Sequence, residues 1–283
     1  MLFMKKTSCY NKKQVGTNMK TIQAETNIGL VRKNNEDVAL AITHPKDESI
    51  HLLLVADGMG GKEHGEIASS YTAKTFEKWF KTRSPKVLSD CEKVEDQIIE
   101  LVDKINEDII KKLGQNMSGT TLSLALINRN GTVIANAGDS RIYMYRNKKL
   151  IQISEDDSDV WYYYKYGMVR KDDLRFFYNN NIITACIGLA DDICTVKTEI
   201  IENNYDLLLL VTDGVTDLIT DRKIKKLIES HRNKDILKKI VHEAVYVEQN
   251  LKIPLRLKHK KLSKYILPFH GRDNASGAIY IKR

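Results

Sequence analysis

Eight short apolar runs, each too brief for a helix, constrain this chain more than any other feature: Val38–Ile42, Ile50–Ala56, Leu122–Ile127, Val133–Ala137, Arg141–Tyr145, Val196–Ile201, Leu207–Thr212 and Ala278–Ile281. Their length and apolar content predict strands. Between the second and third lies a block of helical period. Ile67, Tyr71, Phe76, Trp79 and Phe80 approximate one stripe, and Val94, Ile98, Leu101, Val102, Ile105, Ile109 and Leu113 make a cleaner one. Asp221–Ser230 and Lys234–Val245 predict a second helical pair after the run at 207. Asn130-Gly131, between two apolar runs, has the chemistry of a hairpin turn. Strands, then two long helices, then hairpin-linked strands predict an α+β fold in which helices cover antiparallel sheets, not a regular βαβ repeat.

The chain has 283 residues, of which 42% are hydrophobic and 29% charged, as expected of a folded domain rather than a disordered or fibrous one. The longest apolar stretch, Leu207–Val211, is far short of the roughly 20 residues a membrane helix needs. The N-terminus carries lysines without the apolar core of a secretory signal, so a cytoplasmic location is expected. Residues 1–20 read as a polar tail, with Met19 as an alternative start, and 21–283 as one domain. Cys9, Cys91, Cys186 and Cys194 show no C-x-x-C spacing and are expected as free thiols. The net charge of +8 is spread among acids except in the run Arg256–Lys264, "RLKHKKLSK". No zinc-finger spacing, aromatic RNA-binding run or helix-turn-helix signature accompanies it, so no specific nucleic-acid partner is expected.

Four aspartates stand at the edges of predicted strands: Asp37 in "NNEDVAL", Asp57 in "VADGMGG", Asp213 in "LLVTDGVTD" and Asp273 in "GRDNASG". Alone, each reads as a turn or cap residue. If the strand ends gather, four carboxylates converge and cations must neutralise them. All-oxygen ligation selects hard ions such as magnesium or manganese. With no H-E-x-x-H and no histidine pair at a ligand spacing, zinc is not expected.

"RKNNEDV", "VADGMGG", "SGTTLSLALI", "NAGDSRIYMY", "LLVTDGVTD" and "GRDNASG" follow one another in an order and approximate spacing that resemble the bacterial PP2C-type (PPM) metal-dependent protein serine/threonine phosphatases, over about residues 22 to 281. The resemblance implies a four-layer αββα sandwich, two antiparallel sheets flanked by helices. It implies hydrolysis of phosphoserine and phosphothreonine in proteins by a water activated between two Mn2+ or Mg2+ ions, in opposition to a cognate serine/threonine kinase. By the same resemblance Asp57 bridges the two metals, the carbonyl of Gly58 is a further ligand, and Asp213 and Asp273 bind one of the metals. Asp37 holds a metal through water, Asp139 of "GDSR" contributes to a third site, and Glu36 and Asn274 stand beside these ligands. Arg32 matches the phosphate-binding arginine.

Departures from the pattern are visible. Met59 and Lys62 occupy positions where relatives carry histidine, His64 reads as a solvated loop residue, and the leaving-group acid stays unassigned. Residues 154–186 correspond to a flap beside the site, with Asp156-Asp157-Ser158 in place of the usual Asp-His-Ser. There Trp161 and Tyr162 with its neighbours either grip a peptide or pack the flap, and packing is favoured. Residues 246–271 read as a basic insertion, a solvated loop by default and otherwise a dock for an acidic or phosphorylated partner. The leading expectation is a monomeric protein phosphatase. The alternatives are a catalytically weak PP2C-like binding or regulatory module, which the presence of Asp37, Asp57, Asp213 and Asp273 counts against, and a phosphohydrolase of small phosphoesters or nucleic acid.

Overall fold

Antiparallel pairing joins the strands into two sheets. The computed structural model describes residues 21–60, 64–114, 118–177, 179–188, 196–230, 235–247, 257 and 272–282. One sheet runs β1 (Thr21–Asn27), β11 (Ala275–Ile281), β10 (Leu207–Val211), β7 (Arg141–Arg146), β8 (Lys149–Gln152). The other runs β2 (Asp37–His44), β3 (Asp47–Met59), β5 (Leu122–Ile127), β6 (Thr132–Ala137), β9 (Lys197–Ile201), with the short β4 (Gly119–Thr120) paired to the end of β3. Helices α1 (Gly65–Thr82), α2 (Pro85–Leu88) and α3 (Cys91–Leu113) belong to the second sheet's side. Helices α5 (Asp213–Thr216), α6 (Asp221–Ser230) and α7 (Ile236–Tyr246) cover the first.

Three apolar clusters explain why the strands read as continuous apolar runs rather than alternating ones. In β3, Leu52 and Leu54 pack with Phe76, Ile98 and Ile105 of the helices, while Leu53 and Val55 face the other sheet. In β10, Leu209 and Val211 meet Ile224 and Ile240 on the helical side, while Leu208 and Leu210 meet Leu53 and Val55 between the sheets. A strand buried on both faces needs an apolar residue at every position, whatever the direction of its pairing. The order helix, sheet, sheet, helix is the four-layer α+β sandwich expected from the sequence.

Edges and short elements depart from expectation. β1, TIQAETN, and β8, KLIQ, are half-polar edge strands that apolar runs do not reveal. The β7–β8 hairpin turns through Asn147 (φ 50°) and Lys148 (φ 57°), the left-handed pair a two-residue turn requires. In α1 the buried stripe opens with Ala68, Ser69, Thr72 and Ala73, small residues that let the helix lie close to the sheet, so Ile67 and Tyr71 are only half-buried. The stretch 154–181, which had neither helical nor strand period, folds into the one-turn α4 (Trp161–Lys165) and a 3-10 turn over Lys171–Phe176. The tail 1–20 and, within the insertion 246–271, residues 248–271 apart from Leu257 lie outside the described residues, as do Cys9 and Cys194; Cys91 is a free thiol and Cys186 is buried. Among the described residues no helix is long and apolar enough to cross a membrane.

Phe76 is fully buried at the α1–sheet interface, edge-on to Trp79 at 6.2 Å. Phe76→Ala is expected to cost about 3–5 kcal/mol of stability, read as a lowered urea midpoint with an unchanged slope.

Candidate active site

Strand register brings the first two aspartates together. Asp37 opens β2 and Asp57 lies near the end of β3, and the two are direct cross-strand partners. Asp213 begins α5, two residues after β10 ends, and Asp273 stands two residues before β11. Both of those strands belong to the opposite sheet, so the four residues meet where the two sheets come together at one end. Thr212 makes the connection across the sandwich: its hydroxyl donates to Asp37 Oδ2 at 2.9 Å and accepts from the Ser276 amide at 3.0 Å. The Asp57 backbone is held by Thr121 and Thr120, with the Asp57 amide donating to Thr121 Oγ1 (3.0 Å) and the Asp57 carbonyl accepting from Thr120 Oγ1 (3.0 Å) and the Thr121 amide (2.9 Å).

Asp37 is buried, and Asp57, Asp213 and Asp273 are half-buried. Asp57 faces Asp37 across the strand pair, and Asp213 is close enough to act on its charge. Burial, reinforced by Asp37, Asp213 and Asp273, holds the Asp57 carboxyl well above the usual carboxylate range. Burial does the same to Asp213, with Asp139 and Asp273 adding, and pushes Asp37 up to about 7. Asp139 sits in the turn that carries the chain from one sheet to the other between β6 and β7, a turn in which Gly138 has φ 99° and a Cβ would lie 2.7 Å from Thr121. Burial first, then Asp156 and Asp217, pushes Asp139 up to about 8. Buried oxygens of Asp37, Asp139 and Asp213 have no hydrogen-bond partner among the described residues. Anionic oxygens with empty lone pairs in one buried place suit hard divalent cations. Among the described residues no three acidic, histidine or cysteine side chains form a group set to hold a metal ion, and Asp273 is paired with Arg32 at 2.6 Å.

Residues 32–244 match the family model described as Protein phosphatase 2C. The chain belongs to the protein phosphatase 2C family. Its similarity to the serine/threonine phosphatase stp of Listeria monocytogenes reaches 30% identity over 213 residues, 73% of this chain and 82% of that protein. The crystal structure of the serine/threonine phosphatase Stp1 from Staphylococcus aureus superposes with TM-score 0.76 at 26% identity, covering 96% of this chain and 98% of the other. The catalytic domain of the phosphatase PstP, solved in complex with two manganese ions, shares the fold with TM-score 0.68 at 22% identity, over 94% and 99% of the two chains. This protein phosphatase 2C is thus a protein serine/threonine phosphatase.

Two of the glycines after Asp57 lie where the phosphatase has no space for a side chain: a Cβ on Gly58 would lie 2.2 Å from the Gly65 carbonyl oxygen and 2.7 Å from that of Glu36, and one on Gly65 would meet Gly58 at 2.7 Å. Glycine is required because two backbones press together where β3 ends and α1 begins. Glu36 is held by this contact and by Asn274: the Gly58 amide donates to the Glu36 carbonyl (3.1 Å) and the Glu36 amide to Asn274 Oδ1 (2.8 Å). Asn274 also donates to the carbonyls of Ile28 (2.9 Å) and Asn34 (3.0 Å), so it fixes the loop that bears Arg32. Arg32 itself is half-exposed at the mouth. His64 is exposed, and its carbonyl, not its ring, begins α1 by accepting from Ile67 and Ala68.

The flap divides the aromatic run. Trp161 is buried beside Arg141, whose guanidinium lies 5.9 Å from the indole ring, and Tyr163 stacks on Phe177 at 5.7 Å. Tyr162, 53% exposed, points outward and lies 4.4 Å from the Tyr166 ring. Packing therefore accounts for Trp161 and not for Tyr162. Asp156 forms a buried pair with Arg141 at 2.7 Å, and Asp157, where histidine is usual, accepts from the Gly138 amide at 3.1 Å and pairs with Lys197. Asp217, the second aspartate of "LLVTDGVTD", is one turn beyond Asp213, and it lines a small cavity of about 20 Å³ with Asp139, Asp213 and flap residues Arg175 and Asn180. Its i, i+4 spacing from Asp213 was the available signal. Burial pushes it up to about 6, against the pull of Arg175 and Arg141.

Carboxyls raised in the folded state stabilise the metal-free chain while protonated and lose that contribution as pH rises. For Asp217, Asp37 and Asp139 the loss runs from the ordinary value, about 3.9, through about 6, 7 and 8. Manganese should accordingly raise the melting temperature of the chelator-treated protein more at about pH 8 than at about pH 5.5. Thermal melts with and without the ion test this, and equal shifts at both pH values would count against a cation among these acids.

Proposed function

We propose that this phosphatase hydrolyses phosphoserine and phosphothreonine in proteins with the help of divalent cations bound by the buried aspartates, as the opponent of a serine/threonine kinase. The observation that carries the reading is the meeting of Asp37, Asp57 and Asp213 in one place, with buried oxygens on Asp37 and Asp213 that no described residue satisfies. In this reading Asp57, the Gly58 carbonyl, Asp213 and Asp273 would hold the cations, Asp37 with Glu36 beside it would support them, and Asp139 with Asp217 would offer a further position. Divalent cations, Mn2+ or Mg2+, would supply Lewis-acid polarisation of the phosphoryl group and lower the pKa of an attacking water. Two manganese ions in the PstP catalytic domain support such a loading.

Arg32 would bind the substrate. It is 48% exposed, its partner Asp273 is 34% exposed, and an ion pair so open to water holds the side chain weakly. The guanidinium can leave Asp273 for the phosphoryl oxygens, which accept its parallel N–H donors in the same planar geometry. Asp273 is then released toward the acids inside. We place the protein in the cytoplasm, acting as a monomer on phosphoprotein substrates.

Phosphate release from a phosphothreonine peptide, a nucleotide and DNA, each with and without manganese, tests the substrate class. Preference for the peptide is expected, and release from none of them would return the chain to a binding module. Asp57→Asn and Asp213→Asn should each lower kcat by at least about 100-fold with the circular dichroism spectrum unchanged. Arg32→Ala should raise the peptide KM about tenfold while leaving manganese affinity near wild type, measured by steady-state kinetics and calorimetry.

A further inference from the structure

The flap has an apolar cluster of its own, set apart from the cores of the sandwich. Val160, Trp161, Val169, Leu174, Phe176 and Phe177 supply it from within the flap, and one further member comes from far along the chain: Leu257, only 1% exposed. Leu257 lies between α7 and Asp273, beyond the stretch 32–244 that matches the family, and within the basic insertion that the catalytic reading leaves without a role. A five-residue helix and a 3-10 turn are too short to be stable by themselves. Their placement depends on what fills the space beneath them.

Two members of this cluster, Val160 and Leu174, also line the cavity shared by Asp139, Asp213 and Asp217. The residue after Leu174 continues the connection. Arg175 donates to the Asp217 carbonyl at 3.2 Å, and Asn180 donates to Asp217 Oδ2 at 2.6 Å. Trp161, another member, lies against the guanidinium of Arg141. The apolar cluster and the acidic cavity are thus two sides of one flap, and a side chain completing the first fixes the second.

The geometry points to Leu257 as a positioning residue: by filling the flap's apolar cluster from outside the flap, it seats Val160, Leu174, Arg175 and Asn180 against the acidic cavity and so governs how the phosphatase engages peptide substrates. Leu257 touches neither substrate nor metal in this account. It acts through the flap, and removing its side chain leaves a gap that neighbouring aromatic rings close only by moving. The kinetic consequence rests on the proposed phosphatase chemistry, while the consequence for flap order does not.

Hydrogen exchange and kinetics on the full chain test it with Leu257→Ala and the volume-conserving Leu257→Met. In Leu257→Ala the amides of 160–177 should exchange about tenfold faster, with those of 122–127 and 207–211 unchanged. The KM for a phosphothreonine peptide should rise about tenfold, with kcat on p-nitrophenyl phosphate within about twofold of wild type. Leu257→Met should restore both. Leu257→Val carries the same test in milder form if the alanine variant does not fold. Unchanged exchange in the flap, acceleration that extends equally into the central strands, or a methionine variant as impaired as alanine would each overturn the assignment. Faster flap exchange in a protein whose wild type hydrolyses no phosphoester would leave the seating role standing and overturn the catalytic reading instead.

Discussion

Mutual repulsion among buried carboxylates is the constraint around which the rest of this structure is arranged. Two charges at about 4 Å repel by roughly 4 kcal/mol at an effective dielectric near 20, and taking each from water costs several more. Asp37, Asp57 and Asp213 bear this together, and in the metal-free protein the penalty appears as protons retained well above the ordinary carboxylate range. A fold that holds acids in such a place must restrain their backbones independently of the acids themselves. Here the restraint comes from strand register for Asp37 and Asp57, from Thr120 and Thr121 around the Asp57 peptide, and from Thr212 between the sheets.

The backbone around the acids is closely packed. Gly58 and Gly65 let the end of β3 touch the start of α1, and a Cβ on Gly214 would sit 1.9 Å from the Asn274 carbonyl oxygen. Asn274 then extends this contact to the loop of Arg32 through three hydrogen bonds. The acids stand on packed strand ends and the arginine on an exposed loop. This division suits a site in which the cation positions must stay fixed while the substrate's phosphoryl group enters and leaves.

The flap is attached to this closely packed part by charge and to a distant segment by apolar contact. Lys171 pairs with Asp221 at 2.6 Å, and Asp221 also accepts from the buried Tyr143 hydroxyl at 2.7 Å. With the Arg141–Asp156 pair, these bonds tie the start and the middle of the flap to β7 and to the start of α6. The flap's own packing rests on Trp161, Phe177 and Leu257.

Much was legible in the order of residues. Continuous apolar runs identified the inner strands because a strand covered on both faces is apolar at most positions of either face, and the period of α3 identified a helix covered on one face. The aspartates were legible because acidic residues beside glycines at strand ends are costly without a purpose. The edge strands β1 and β8 were not, since half-exposed strands carry no apolar excess, and neither was the true reason for Gly58, which depends on a helix start seven residues away. Which aromatic residues of the flap pack and which face water was equally undetermined, as was the contact of Leu257 with residues about 80 to 97 positions earlier. Local chemistry and period are written along the chain and so can be read from it, whereas who touches whom across the sandwich depends on how the layers stack, and only the folded structure decides that.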